Sequence, residues 1–450
     1  MIDRLVVLGA AGDLATRHLL AALSHLARAG GLPADFRILG VDRAALTTDT
    51  YRERARGALT AQAPTVGSLD RADLVRRLDY RQADLSQQPD LGSDLGAEPV
   101  IAYLALPPSA YPSAVRALSA AGLAPGSRVV IETPFGEDRT SARELTALLH
   151  SLCLERDVFR ADHFLQHQSV QDLLALRFAN PFFEPMWNCE NLERVEITWE
   201  ETAGVAGRAG YYDRVGALRD MVQSHLLQLL ALVAMDAPAA FDEHGLRDAK
   251  VAALRRVRSF TADEVATQTA RGRYASGRVQ DQPRNGYLDE PGVDPARGTE
   301  THACLQVMVD DHRWAGVPFV LRTGKALGRA RRRISLHFRA SAGLPSATPA
   351  VLTVDMAPDR VWLQLNGAGP PGLPALSSLR LEATRPAQPL PASARLLRDV
   401  LAGDPTFAVR DDETEQCWRI VDSVLAGWRT GAPPLQDYAA GSAGPAPPIG

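Results

Sequence analysis

Arg4-Leu5-Val6-Val7-Leu8-Gly9-Ala10-Ala11-Gly12-Asp13-Leu14-Ala15 decides the fold. A short apolar run ends in a pair of spaced glycines, and apolar residues then recur at helical spacing through Leu26. That is a strand, a glycine turn and a helix. Taken alone, the glycines make a tight turn. In this context they also let the backbone approach a pyrophosphate, whose charge the helix N-terminus favours through free N–H groups and its dipole. The third glycine of the usual spacing is missing, but the strand before and the helix after favour a dinucleotide site at Gly9, Ala11, Gly12, Asp13 and Leu14. A second run, Phe36 to Val41, stops at Asp42-Arg43. An acid at that place suits the free ribose 2′-hydroxyl of NAD, and an arginine the 2′-phosphate of NADP. Both are present, so the cofactor is NADP or NAD.

Further runs at Val100–Leu106, followed by Pro107-Pro108, and at Arg128–Ile131, followed by Glu132-Thr133-Pro134, continue the alternation of strand and helix. Alternation of this kind predicts a doubly wound parallel sheet of Rossmann type, with Leu106 and Pro107 added to the cofactor contacts. From about residue 170 the elements lengthen, with strands expected at Arg194–Trp199, Ala303–Val309, Ile334–Arg339 and Val361–Leu365. The expected architecture is therefore α/β followed by α+β. A Rossmann domain spans 1–165, and a larger domain with a big, mostly antiparallel sheet, for substrate binding and oligomerisation, spans 166–450. The Pro/Gly/Ala/Ser stretch after Gly431 reads as a surface extension.

Two domains suit 450 residues, since single cores stop growing at roughly 250 to 300 residues. With 46% hydrophobic and 23% charged residues and a net charge of −4, no nucleic-acid partner is implied. The longest apolar run, Leu226 to Met235, is broken by Gln228 and is short of the roughly 18 residues of a membrane span. The N-terminus enters a strand pattern at once, so no signal peptide is expected. Cys153, Cys189, Cys304 and Cys417 lack paired spacing, which argues against a zinc site or disulfides and fits a reducing cytoplasm.

Two segments carry the chemistry, Phe159-Arg-Ala-Asp162-His163-Phe-Leu-Gln-His167 and Met221-Val-Gln-Ser-His225-Leu-Leu-Gln228. Imidazole titrates near neutral pH and can act as a base, and a carboxylate can orient it. An Asp-His pair alone is weak evidence, and a histidine with apolar neighbours, such as His225, is by default a satisfied buried one.

The ordered motifs Gly9–Ala15, Tyr103–Pro108, Glu132–Gly136, Asp162-His163, Arg177–Asn180, Gly207–Asp213, Ala217–Met221 and Trp314–Lys325 resemble those of glucose-6-phosphate dehydrogenases over nearly the whole chain. The resemblance implies that His225 takes the sugar O1 proton as hydride leaves C1, and that Asp162 orients His225. It also implies that His163 faces the substrate phosphate, while Glu201, Asp220 and Lys325 line the sugar. Its cofactor is a nicotinamide dinucleotide, its partners are a small-molecule substrate and further copies of itself in a homodimer or homotetramer, and no metal is involved.

Departures from the family pattern fall in one chemical category. Thr16, Thr133 and His167 stand where the family has lysines, Phe164 where it has tyrosine, and Gln166 where it has glycine. A charge-assisted hydrogen bond is worth roughly 1.5 to 3 kcal/mol, so losing two should weaken a phosphorylated substrate by about a hundredfold. Thr133 offers a hydroxyl, and His167 an imidazole, to a different polar group. The arginines at 329, 331, 332 and 333 could replace the lost cations, although their spacing better suits a solvated edge or a second nucleotide site. The expectation is an NAD(P)-dependent oxidoreductase of altered substrate, a sugar-like or imine-type molecule. The alternatives are a lactone-forming glucose-6-phosphate dehydrogenase with compensating phosphate contacts, and a catalytically silent cofactor-binding or regulatory homologue.

Overall fold

The computed structural model describes residues 2–448 apart from 206, 345, 371–374, 384–387 and 389. The chain divides into two compact units. The first comprises Met1–Gln166, Phe241–Arg247 and Ala387–Glu415, and the second comprises His167–Ala240, Asp248–Pro386 and Gln416–Gly450.

The first unit is built on β1 (Arg4–Leu8), β2 (Arg37–Asp42), β3 (Leu78–Gln82), β4 (Ile101–Leu104), β5 (Arg128–Glu132) and β6 (Val158–Ala161). All pairings are parallel, in the order β3-β2-β1-β4-β5-β6. This order reverses beside β1, and the crevice beyond the carboxyl ends of the strands at such a reversal is where ligands bind in sheets of this kind. Leu5 to Leu8 and Ile101 to Leu104 are buried on both faces, as a parallel sheet covered by helices requires. Two strands escaped the sequence reading. β3 reads Leu-Asp-Tyr-Arg-Gln, a polar edge pattern, and β6 has only four residues, one of them the buried Arg160, neutralised by Glu155 at 2.6 Å.

Part of the expected second domain belongs to this first unit. The helix Ala392–Ala402 contributes Ala394, Leu397, Val400 and Leu401 to the core that also holds Leu19, Leu23 and Val7. It ends at Gly403 in the left-handed conformation, and Arg128 Nη1 donates to the carbonyls of Val400 at 2.7 Å and Leu401 at 2.8 Å. Those contacts satisfy carbonyls that a helix end otherwise leaves unpaired.

The second unit is a mixed sheet of nine strands: β7 (Leu192–Glu200), β8 (Thr269–Ala275), β11 (His302–Val307), β12 (Phe319–Gly324), β13 (Arg331–Phe338), β14 (Val351–Met356), β15 (Asp359–Ala368), β16 (Leu376–Ala383) and β17 (Leu435–Ala439). A separate hairpin pairs β9 (Gly277–Val279) with β10 (Gln282–Arg284). The large sheet runs β16-β15-β14-β13-β7-β12-β11-β8-β17, antiparallel except for β7 with β12 and β8 with β17. The expected strands at Arg194–Trp199 and Val361–Leu365 fall within β7 and β15, while those at Ala303–Val309 and Ile334–Arg339 coincide with β11 and β13 but run two residues and one residue past their ends. The stretch after Gly431 is corrected. It is no surface extension, because β17 closes one end of the sheet and Tyr438 is buried against Tyr274 and Leu327. Among the described residues no helix is long and apolar enough to cross a membrane.

Candidate active site

In the first unit the glycine turn is set by close approach. Gly9 has φ +87°, and a Cβ there would lie 2.4 Å from the Ala105 carbonyl oxygen and 2.8 Å from a Leu106 methyl. Gly12 donates its N–H to the Gly9 carbonyl at 3.1 Å. Asp42 braces the turn, accepting from the Ala11 N–H at 3.1 Å and from the Ala44 N–H at 3.0 Å. The helix then begins with a π-type segment, Leu14–Leu19, and no side chain caps its N-terminus at Asp13, which pairs with Arg17 at 3.3 Å. A cradle that a single Cβ would fill, with uncapped helix N–H groups above it, fits a pyrophosphate. Arg43 and Pro107 are exposed, and Leu106 is half-buried beside the turn. Thr16 turns its hydroxyl back to the Gly12 carbonyl at 2.9 Å.

The Asp-His motif follows β6. Asp162 is fully buried and accepts the Phe164 N–H at 2.9 Å, while His163 is exposed and sits edge-on to the Phe164 ring at 4.9 Å. Gln166 ties this motif to the helix Ala392–Ala402. Its amide donates to Asp399 at 2.8 Å, and its carbonyl accepts from Arg395. Burial pushes the Asp399 carboxyl up, more than the bonds from Gln166 and Arg398 pull it down. Thr133 is half-buried just after β5.

In the second unit a cavity of about 100 Å³ is lined by Gly204, Val205, Arg208, Tyr211, Tyr212, Asp220 and Lys325. Lys325 is fixed by its backbone: its N–H donates to the Thr301 carbonyl at 3.0 Å, and its carbonyl accepts from the Tyr438 hydroxyl at 2.7 Å. Its ammonium pairs with Glu201 and stands 5.4 Å above the Tyr212 ring. The buried Tyr212 hydroxyl has no hydrogen-bond partner among the described residues, and burial beside Asp220 and Glu300 raises its pKa well above the phenol range.

The charge chain continues onto the sheet. Arg332 lies opposite Trp199 in the β13–β7 pairing, its guanidinium 5.0 Å over the indole and 3.7 Å from Glu201. His167 also lies near Trp199, with ring centroids 6.2 Å apart, and its Nδ1 is 3.5 Å from Asp359. Burial raises the Asp359 carboxyl, but bonds from His167 and from the Ser169 hydroxyl at 2.5 Å outweigh it and hold the group low. His167 is therefore engaged with a carboxylate of its own unit. Arg331 forks onto Glu200 at 2.5 and 3.0 Å, and Arg333 pairs with Asp355 at 3.2 Å, so the arginine run is dispersed onto sheet carboxylates.

Asp220 and His225 lie on the π-helical segment Leu218–Leu226, and His225 is 6% exposed. The i to i+5 repeat of a π turn puts residues five apart on one side, and π segments recur at functional sites. Thus Asp220 and Lys325 line one cavity, Glu201 pairs with Lys325, His167 lies near Trp199 and Asp359, and Asp162, His163 and Thr133 belong to the first unit. The sequence reading missed Arg208, Tyr211 and Trp199 at this site, and offered Arg332 only as one of four arginines whose spacing better suited a solvated edge or a second nucleotide site. Tyr438 lies in a stretch whose composition masked a strand. One further ligand-like group among the described residues, His150, Glu155 and Asp411 in the first unit, is a hydrogen-bonded cluster whose Glu155 already neutralises Arg160.

Comparison with known proteins gives concordant matches. Residues 6–172 match the family described as glucose-6-phosphate dehydrogenase, NAD binding domain, and residues 174–448 match its C-terminal domain. A glucose-6-phosphate 1-dehydrogenase of Gluconobacter oxydans is 39% identical over 466 residues, covering 98% of this chain and 94% of the relative. One from Treponema pallidum is 38% identical over 477 residues, covering 98% and 92%. The crystal structure of the Mycobacterium avium glucose-6-phosphate 1-dehydrogenase superposes with a TM-score of 0.86 at 34% identity, covering 99% of this chain and 95% of that one. A glucose-6-phosphate dehydrogenase solved with its substrate glucose 6-phosphate superposes with a TM-score of 0.87 at 30% identity, covering 99% and 96%.

Proposed function

Since the chain belongs to the glucose-6-phosphate dehydrogenase family, and is thereby an NAD(P)-dependent oxidoreductase, we propose that it oxidises glucose 6-phosphate itself to the lactone. The altered substrate suggested by the missing lysines gives way to this reading. Two family domains span almost the whole chain, and relatives named for glucose 6-phosphate match it at 38% and 39% identity. The silent-homologue alternative is set aside with it, because Asp220, His225, Glu201 and Lys325 are all retained.

The observation that carries the reading is the Lys325–Glu201–Arg332 charge chain at the cavity lined by Asp220. It offers two cations in a chain that has threonine or histidine at three of the family's lysine positions. Lys325 and Arg332 meet the phosphate, with His167 as a third contact. Asp220 and Glu201 accept from sugar hydroxyls. His225 removes the proton from the sugar O1 as the C1–H bond breaks, and the electron pair left by that proton forms the second C1–O1 bond of the lactone. The bound nicotinamide dinucleotide supplies the acceptor for the C1 hydride. The action is cytoplasmic, in keeping with four free cysteines. The chain works as a homo-oligomer, for which exposed Leu379 and Leu381 on the terminal strand β16 are the supporting feature, and light scattering of the purified protein tests it.

The test is the rise of absorbance at the reduced-nicotinamide band with glucose 6-phosphate against glucose, each with NADP and NAD. Turnover of glucose 6-phosphate on the order of 10 per second is expected. No turnover of glucose 6-phosphate by cofactor-binding protein, or equal turnover of glucose, refutes the proposal.

A further inference from the structure

The three residues Thr299-Glu300-Thr301 bond the helix Ala209–Ala217, the start of the segment that carries Asp220 and His225, and the backbone of Lys325. The Glu300 carboxylate accepts the Leu218 N–H at 2.9 Å, at the first residue of the π-helical segment bearing Asp220 and His225. The Glu300 carbonyl accepts the Ala217 N–H at 3.0 Å. Thr299 donates its hydroxyl to the Asp213 carbonyl at 2.7 Å, which holds the preceding helix, Ala209–Ala217. Thr301 accepts the Lys325 N–H through its carbonyl at 3.0 Å. All three residues of this brace are buried.

A carboxylate is an unusual thing to bury here. Its place is made by Gly216, whose φ is +72° and at which a Cβ would lie 2.5 Å from Glu300 Oε1. The chain thus spends a glycine and a buried acid on one helix start. An acid facing helix N–H groups is favoured by their partial positive charge, and a side-chain acceptor satisfies one of the donors a helix start leaves open. Burial raises the Glu300 carboxyl, with the Leu218 N–H, Arg219 and Arg271 opposing. Asp213 and the hydroxyls of Tyr287 and Tyr212 also face this region.

We propose that Glu300 is a positioning residue: by holding the start of the Leu218–Leu226 helix, on the brace that also holds Lys325, it sets the orientation of Asp220 and His225. It is not among the residues that line the cavity, so its effect passes through the helix. The inference rests on the function proposed above, and its test separates the two.

The variants are Glu300→Ala, which removes the acceptor, Glu300→Gln, which keeps one, and Gly216→Ala, which drives a methyl against the carboxylate. Protein labelled with nitrogen-15 at histidine reports the His225 ring, assigned by its loss in His225→Asn, whether or not glucose 6-phosphate is the substrate. In Glu300→Ala and Gly216→Ala the His225 resonance and its titration midpoint should move, while in Glu300→Gln they should stay. In kinetics, Glu300→Ala should lower kcat by about tenfold and shift the acidic limb of the kcat/KM profile, with Glu300→Gln near wild type. An unmoved His225 resonance in folded Glu300→Ala or Gly216→Ala overturns the positioning role. So does a Glu300→Gln variant as impaired as a folded Glu300→Ala, or, if Glu300→Ala does not fold, as impaired as Gly216→Ala. Wild-type protein inactive on glucose 6-phosphate, with the His225 shifts as expected, refutes only the substrate.

Discussion

Arg332→Ala is the change that most directly separates a substituted phosphate site from a lost one. In the wild type the guanidinium is a third exposed, lies over Trp199 at 5.0 Å and stands 3.7 Å from Glu201, whose other oxygen pairs with Lys325. Removing it takes away one charge-assisted contact to phosphate, roughly 1.5 to 3 kcal/mol when fully formed. Its partial exposure argues for the lower end, because solvent screens such contacts. A loss of about 1.5 kcal/mol is about tenfold, so the KM for glucose 6-phosphate should rise about tenfold with kcat little changed. A pattern of raised KM and unchanged kcat is the signature of uniform binding energy removed. Unphosphorylated glucose supplies the control, since it lacks the group that Arg332 meets. Steady-state kinetics with both sugars at fixed cofactor therefore read out the ratio of their kcat/KM values, which should fall about tenfold in the variant. If that ratio is unchanged, or if glucose suffers as much as the phosphate ester, Arg332 only pairs Glu201 and the compensation argument is wrong.

His225→Asn should lower kcat by about a hundredfold or more, the scale of general-base loss, and Asp162→Asn by a smaller but clear factor; kinetics on folded, cofactor-binding variants check both. Gly9→Val should abolish cofactor binding by calorimetry, because its Cβ falls 2.4 Å from the Ala105 oxygen at φ +87°. Arg43→Ala should raise the KM for NADP about tenfold while leaving that for NAD unchanged, if the exposed Arg43 meets the 2′-phosphate. Glu300 has a carboxyl raised by burial, so the folded state favours its protonated form: that contribution is full in acid and lost as pH climbs through the raised value. The melting temperature of Glu300→Gln should therefore gain on wild type as pH goes from 5 to 8, and a constant difference refutes the sign.

The first unit was legible because a glycine turn sits between a saturated apolar strand and a periodic helix, and each of those signals is local. β3 and β6 were not, since a polar edge strand and a four-residue strand around a buried arginine carry no periodicity of their own. The return of 387–415 into the first core is a long-range choice that only the helix Ala392–Ala402, through its apolar face, hints at. In the second unit the motif around His225 located the helix, but nothing in the residue pattern announced a π-helical segment or the buried acid at its start. The tail after Gly431 misled most, because proline and glycine outweigh a five-residue strand in composition while Tyr438, inside it, holds the carbonyl of Lys325.

The same contrast bears on the lysines missing from the motifs, which need not mean a change of substrate. A family motif records charge at fixed positions along the chain, whereas a phosphate responds to charge at fixed positions in space. Thr16 bonds its own backbone and Gln166 bonds Asp399, so both positions have become structural. His167 has turned to Asp359 and Ser169, yet remains beside Trp199. Arg332 comes to that indole from a strand more than a hundred residues on, because the β13–β7 register sets it across from Trp199. On the proposed reading the sheet supplies positive charge that the motif lacks, and strand register rather than local sequence determines where that charge lies.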